Sequence, residues 1–477
     1  MSSIVYFFLS LIALFLGYII YGKVVERIFG ADYSRVTPVY KMFDGVDYVK
    51  MGPFKIFLIQ LLNIAGLGPV FGPILGALYG PIALFWVVIG SIFGGAVHDY
   101  FSGMMSLRYN GKSVPDIVGY NLGSTIRILM QVFSVVLLIL VGVVFVAGPA
   151  GLLEKLTGID AMFFVSIIFA YYFLAMILPI DKLIGLIYPY FALLLVFMAI
   201  GLLVMLIVKG YPFYPSINLI NQHPAGLPIW PMVFITIACG ALSGFHATQS
   251  PMMARCLPNE RYGRPVFFGA MIAEGVIALI WVTLGMSFYE NSSALAAALG
   301  PEGNAALVVD EVSKVLLGTV GGTLAILGVV ILPITSGDTA FRSARLTIAD
   351  AFGFDQASGK NRLLLTIPIF AIGVALNFMS FGILWRYFGW ANQTLAAIVL
   401  WAAAAYLLHR ERFHWIATVP AMFMTAVCVS YICFEENMGF GISYDLSNII
   451  AITFSVLCGI TLLTVGRKRQ PDEPIDS

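Results

Sequence analysis

Thirteen apolar runs, each about 20 residues long, constrain this chain more than any other feature. They fall near 4–22, 55–79, 82–107, 127–148, 161–179, 185–208, 231–254, 265–288, 313–338, 362–380, 385–408, 414–433 and 447–466. A run of that length crosses the hydrocarbon core of a bilayer as a helix, and in lipid an open sheet cannot satisfy its own backbone. The expected fold class is therefore all-α, a polytopic membrane protein of about 13 transmembrane helices. Composition agrees with this reading, since 60% of residues are apolar and only 11% are charged. Soluble domains carry about 25% charged residues, and a soluble core could not bury this much apolar surface. The net charge of +1 supplies no field for nucleic acid, so the lipid bilayer is the expected macroscopic partner.

Charge sets the expected orientation. With the C-terminus inside the cell, Lys155, Lys209, Lys314 and Arg386 lie outside, and the other 22 of the 26 basic residues lie inside. Such a split fits the reluctance of Lys and Arg to be translocated. It predicts a cytoplasmic membrane protein with its N-terminus outside. The first run, Ile4 to Tyr21, has neither a basic flank before it nor a small-residue cleavage pattern, so it is expected to be retained. The five cysteines (Cys239, Cys256, Cys428, Cys433 and Cys458) form no CxxC pair and lie mostly within apolar runs, as buried free thiols would.

Two spans are poor helices at mid-membrane. The second reads Asn63-Ile-Ala-Gly66-Leu-Gly68-Pro69-Val-Phe-Gly72-Pro73, and the seventh reads Gly240-Ala-Leu-Ser243-Gly244-Phe245-His246-Ala-Thr-Gln249-Ser-Pro251. Proline removes a backbone donor and glycine loosens the chain. The two spans open corresponding five-helix blocks, and because five helices separate them the blocks have opposite topology. Interrupted helices at matching places of inverted halves point to a transporter binding site. The expected organisation is an N-terminal helix and loop (1–54), repeat one (55–208), an outer loop (209–230), repeat two (231–408), and two C-terminal helices with a tail (409–477). Gly90, Gly94 and Gly95 in the third span read as close helix packing instead.

Ionisable residues at membrane depth are costly and mark function by default. His98, Asp99, His246, Glu274 and Asp338 are such residues, and Asn392 and Gln393 interrupt the eleventh span. Each has a structural alternative. His98 and Asp99 fit an inner-interface pair, Asp338 fits a partner of Arg342 one turn on, and Asn392 with Gln393 fits unwound carbonyls. Free amides at half-helix starts attract anions, so Gly68, Pro69 and the stretch Ser243, Gly244, Phe245 and His246 are candidates for a substrate carboxylate. Gly66, Gly68, Pro69, Ser243 to His246, Gln249, Asn392 and Gln393 are the candidate substrate-binding set. Carbonyls at Ala65 and Gly66 with the hydroxyls of Thr335 and Ser336 suit a hard cation, whereas His246, Glu274 and Asp338 suit a proton relay. No metal-ligand spacing, nucleophile elbow or P-loop is present in the sequence, so neither an enzyme nor a cofactor is expected.

These residues resemble the carbon starvation A (CstA) family of membrane transporters. The resemblance rests on Asp44-Gly-Val-Asp47-Tyr-Val, the Ala65 to Pro73 break, Gly95-Ala-Val-His98-Asp99, Arg108-Tyr-Asn-Gly111, Ala238 to His246, Asp338 with Arg342 and Arg345, and Gly389-Trp-Ala-Asn392-Gln393. It implies uptake of pyruvate, small peptides or amino acids coupled to H+ or Na+, within the amino acid–polyamine–organocation superfamily. It also implies the leucine-transporter type of five-plus-five inverted fold, with one helix before the repeats and two after them. Thr335 and Ser336 would then supply that fold's cation position. The chain departs from longer members at His98, where they carry glutamine, in Ala-Thr-Gln-Ser-Pro after His246, and in a shorter C-terminal end. A channel or a membrane nutrient sensor for small carboxylates is the alternative expectation.

Overall fold

The computed structural model describes residues 4–45, 48–177, 181–214, 217–301, 303–354 and 359–466, with the side chains of 177–193 and 350 excepted. Val46, Asp47, Pro215, the Lys182 side chain and the basic tail Arg467, Lys468 and Arg469 lie outside the described residues. Within them the regular structure is all helix. Helices occupy each of the thirteen places that the sequence marks. Nine are long and apolar enough to cross a bilayer alone, and a bent pair makes a tenth.

In chain order the helices are α1 (Ile4–Phe29), α2 (Pro53–Ile64), α3 (Gly68–Gly76), α4 (Ile82–Arg108), α5 (Val114–Leu122), α6 (Ser124–Thr157), α7 (Ala161–Ile177) and α8 (Asp181–Val208). They continue with α9 (Ile229–Thr236), α10 (Gly244–Cys256), α11 (Gly269–Phe288), α12 (Ala305–Phe352), α13 (Gly359–Leu376), α14 (Phe381–His409), α15 (Trp415–Phe434) and α16 (Tyr444–Thr464). The second and seventh spans are each two half-helices. α2 and α3 meet at a bend of 48°. α9 and α10 are separated by an uncoiled stretch through Cys239 and Gly240.

The two breaks begin alike. Ala65 follows α2 at φ −82°, ψ 55°, and Ile237 follows α9 at φ −94°, ψ 67°. Both torsions lie near the inverse γ-turn, which ends a helix by turning its chain sharply. The breaks then touch. A side chain at Gly68 would place its Cβ 2.1 Å from Cys239 Cβ, and one at Gly240 would meet Ala278 at 2.5 Å. Gly240 has φ +85°, a backbone that side-chain-bearing residues rarely adopt.

α4 lies against the second break through small residues. A Cβ at Gly95 would come 2.3 Å from the Ala241 carbonyl oxygen, and one at Gly90 would meet Ala241 at 3.0 Å. Gly94 is less tight, with its nearest neighbour at 3.6 Å. The close-packing reading therefore holds for Gly90 and Gly95. The turn from Gly90 to Gly95 is widened into a π-helix, a local distortion frequent at functional sites.

Lipid-facing side chains complete the architecture. Phe8, Ile12 and Phe15 on α1 and Ile449, Ile452 and Phe454 on α16 are exposed, which is stable only against an apolar solvent. At the end expected to face the cytoplasm, Glu260 is fully buried and accepts two hydrogen bonds from Arg108, at 2.7 and 2.8 Å, and one from the Asp32 amide at 2.7 Å. Arg108 also donates to the Gly30 carbonyl at 2.9 Å and lies over the Phe29 ring. This knot ties the first inner loop to α4 and to the loop before α11.

Candidate functional site

The broken helices leave backbone groups to be satisfied at mid-membrane, and neighbouring helices supply the partners. Ser336 on α12 donates to the Leu62 carbonyl at the end of α2, at 3.2 Å. Gln393 on α14 donates to the Phe234 and Ala238 carbonyls in the second break, at 3.0 and 3.4 Å. Ser91 on α4 donates to the Gly240 carbonyl at 2.9 Å. Each free carbonyl end is thus served by a side chain from another helix, because no water is available there.

The amide ends differ. Asn392 Oδ1 accepts from the Phe245 amide at 2.7 Å, while its Nδ2 donates to Ser243 Oγ at 3.1 Å. It caps α10 from a different helix, since Ser243 at the capping position makes no side-chain cap itself. At α3 the capping position is held by Leu67, which has no side-chain acceptor to offer. Asn392 and Gln393 do not interrupt their span, as the sequence reading expected, because α14 runs unbroken from Phe381 to His409. Their amides face the neighbouring break, so the polar pair marks the partner's unwinding rather than its own.

Four buried ionisable groups form one chain of contacts. Asp99 on α4 sits between two imidazoles, with His98 Nδ1 at 2.8 Å from Oδ1 and His246 Nδ1 at 2.9 Å from Oδ2. His246 Nε2 stands 3.3 Å from Glu274 Oε2 on α11, in ion-pair range but without hydrogen-bond alignment. All four residues are 0% exposed. His98 and Asp99 do pair, and Asp99 also meets His246 in the first turn of α10. With Asp99 ionised, each Nδ1 carries its hydrogen toward it, which is an assignment from the contacts.

Other candidates lie around this core. Gln249 is buried and donates to Thr248 at 2.9 Å, while its Oε1 has no partner. Gly66 faces the Phe145 ring, which a Cβ there would meet at 2.7 Å, and Phe145 packs edge-on against Phe245 and Phe388. Pro69 lies 3.4 Å from where a Gly240 side chain would begin. Thr335 donates to its own helix at Leu332 O. Asp338 stands apart in its contacts. Tyr171 donates to it at 3.4 Å, and Arg342 is 4.0 Å away. Arg342 and Arg345 reach instead to the Ala175 and Met176 carbonyls, at 2.6 Å each.

Sequence reasoning missed three participants. Cys239 is in the second break, donating from Sγ to Ser243 Oγ at 3.3 Å, though its apolar context read as an inert thiol. Gln60 on α2 donates weakly to Ser250 at 3.4 Å. Glu260 was masked by its place in a charged loop. A cavity beside the site is lined by Ser134, Thr248, Pro251, Arg255, Ser343 and Thr347, among others.

Comparison with known proteins gives consistent results. The family model described as "Carbon starvation protein CstA" matches residues 2–155, 147–316 and 303–431. An uncharacterized membrane protein of Haemophilus influenzae is 47% identical over 61% of this chain and 92% of its own length. The peptide transporter CstA of Bacillus subtilis is 26% identical over 98% of this chain and 97% of its own. Among solved structures, the Eremococcus coleocola manganese transporter, bound to an aromatic bis-isothiourea compound, superposes with a TM-score of 0.53 at 13% identity, covering 89% of this chain and 98% of that one. Mhp1, a nucleobase-cation-symport-1 family transporter in a closed conformation, gives 0.52 at 14% identity, covering 88% and 94%. At these identities the superpositions speak for the fold alone.

Proposed function

Because this chain belongs to the carbon starvation protein CstA family, we propose that it is a proton-coupled secondary transporter importing short peptides, amino acids or small carboxylates such as pyruvate. The observation that carries this reading is the buried His98–Asp99–His246–Glu274 chain beside two touching helix breaks. The relative named a peptide transporter supports the substrate class.

The mechanism follows from the contacts. α3 and α10 belong to oppositely oriented five-helix repeats of the leucine-transporter type, inside a cytoplasmic membrane with the C-terminus inside. A substrate carboxylate binds at the amide end of α3, near Gly66, Gly68 and Pro69, where the capping residue Leu67 supplies no acceptor. Phe145 and Cys239 cover that end and must move aside to admit it. The proton shared by His246 Nε2 and Glu274 is the coupled ion. Its arrival neutralises the pair, and its departure leaves an unscreened carboxylate that pulls α10 and α11 into a different arrangement. Asp99 fixes the His246 ring throughout. The inner knot at Glu260 closes the cytoplasmic side and opens in the inward-facing state.

Sodium is a second reading, favoured by the Ser336 hydroxyl at the Leu62 carbonyl. A cation there would accept both oxygens as ligands. The deciding experiment is uptake into proteoliposomes of pyruvate, alanine and dipeptides under an inward proton gradient or an inward sodium gradient. Accumulation driven by protons, and lost in Glu274→Gln with substrate counterflow retained, is the expected result. Accumulation driven by sodium alone would transfer the coupling role to Ser336, and no uptake under either gradient would remove the transport reading.

A further inference from the structure

Cys239, His246 and Glu274 bring one thiol, one ring nitrogen and one carboxylate oxygen within 4.8 Å of one another, all three residues buried. We propose that these residues bind a divalent transition-metal ion of the zinc class, with three protein ligands and one coordination position left for an incoming ligand. A tetrahedral ion with bonds of about 2.0–2.3 Å requires ligand atoms roughly 3.3–3.8 Å apart. Nε2 and Oε2 already stand at 3.3 Å, so what has to close is the thiol onto these two atoms, with no pair farther apart than 4.8 Å.

Three independent features support ligation rather than chance proximity. His246 Nε2 and both carboxylate oxygens of Glu274 have no hydrogen-bond partner although they are buried. Buried polar atoms are normally satisfied, and an ion would satisfy the ring nitrogen and one of the carboxylate oxygens. His246 also has its other nitrogen on Asp99 at 2.9 Å. This carboxylate–imidazole arrangement is the usual support for a metal-bound histidine, since it fixes the ring and raises its basicity. Finally, the sulfur lies against polar groups that can donate to a thiolate, with Ser243 Oγ at 3.3 Å and Asn392 Nδ2 at 3.6 Å.

The ligand set decides the ion class. A thiolate with an imidazole suits zinc or cobalt, whereas magnesium and calcium require oxygen. The remaining position would take an amine or carboxylate, which are the groups of the proposed cargo. An ion here would occupy the atoms to which the coupled proton is assigned, so metal and proton compete for the His246–Glu274 pair, while the geometry that carries the metal site stands whether or not the chain transports.

The test uses the full chain, purified in detergent and stripped with a chelator. Cobalt(II) is titrated while the near-ultraviolet thiolate-to-cobalt charge-transfer band is followed. One equivalent should produce the band, zinc should abolish it by displacement, and magnesium should not. Cys239→Ser should remove the band, and Glu274→Gln should weaken binding at least tenfold, with size-exclusion profiles checking that both variants fold. The absence of any band in the unmodified protein at millimolar cobalt overturns the proposal, whatever the variants do. A band that survives Cys239→Ser assigns the thiolate to another cysteine and overturns it equally. Neither result bears on gradient-driven uptake, so the two readings fail separately.

Discussion

Asn392 offers the most direct test of how the second break is held. Its Oδ1 takes the Phe245 amide at 2.7 Å, and both residues are buried. Asn392→Leu keeps the branched skeleton with bulkier methyl ends and removes the acceptor, so no cavity forms. Loss of a helix cap costs about 1 kcal/mol. Leaving a buried amide unpaired adds about 1–3 kcal/mol, because no water reaches it. The expected destabilisation is therefore about 2–4 kcal/mol. Asn392→Ala should cost more, since it loses the same cap and also leaves a cavity where the buried side-chain amide stood. Denaturant-induced unfolding in mild detergent, read by tryptophan fluorescence, measures both variants against the parent. A leucine variant within about 0.5 kcal/mol of the parent, the range of ordinary surface changes, would refute the cap.

Gly68→Ala should destabilise by about 1–3 kcal/mol through overpacking and should block transport, because its Cβ falls 2.1 Å from Cys239 Cβ. Gly94→Ala is the matched control, with a nearest contact of 3.6 Å, and should be near neutral in the same unfolding assay. Glu260→Ala leaves Arg108 unpaired in a largely buried setting and should cost about 3–5 kcal/mol. A double-mutant cycle with Arg108→Ala should recover part of that loss, and full additivity would deny the pairing. Asp338→Asn should abolish gradient-driven uptake more than exchange, and equal loss of both would remove Asp338 from coupling.

The spans and the breaks were legible because both are statements about local chain chemistry. A bilayer demands about 20 apolar residues, and Gly66-Leu-Gly68-Pro69 cannot hold an unbroken helix. The assembly of the site was not legible. His98 and Asp99 are 147 or more positions from His246, and only the packing of α4 through Gly90 and Gly95 brings Asp99 to it. The same holds for Asn392, where a polar pair inside an apolar run signalled unwinding correctly but on the wrong helix. The ends of α12 were also misjudged. Hydropathy stops near 338, yet the helix continues to Phe352, because Arg342 and Arg345 find carbonyls at the end of α7.

The two breaks resemble each other in how they begin and differ in how they end, and that difference bears on where an anion binds. Both leave their first half through the same sharp turn, at Ala65 and at Ile237, and both have their carbonyls met by a side chain from a later helix, Ser336 or Gln393. At the start of the second half the likeness stops. α10 is capped by Asn392 from another helix, whereas the capping residue of α3, Leu67, has no side-chain acceptor. A carboxylate arriving at α10 has to displace that amide, and the lost hydrogen bond offsets its own by about 1 kcal/mol or more. A carboxylate arriving at α3 displaces no such partner. It needs only the Phe145 ring and the Cys239 side chain to move, and both lie on the faces of Gly66 and Gly68 where a larger residue could not stand. The glycines of the first break thus leave room for aromatic and thiol groups to cover an amide end when it is empty and to leave it when it is filled. In the proposed mechanism, substrate entry would move Cys239, whose sulfur lies within 4.8 Å of the ligand atoms of His246 and Glu274, and so link the first break to that pair.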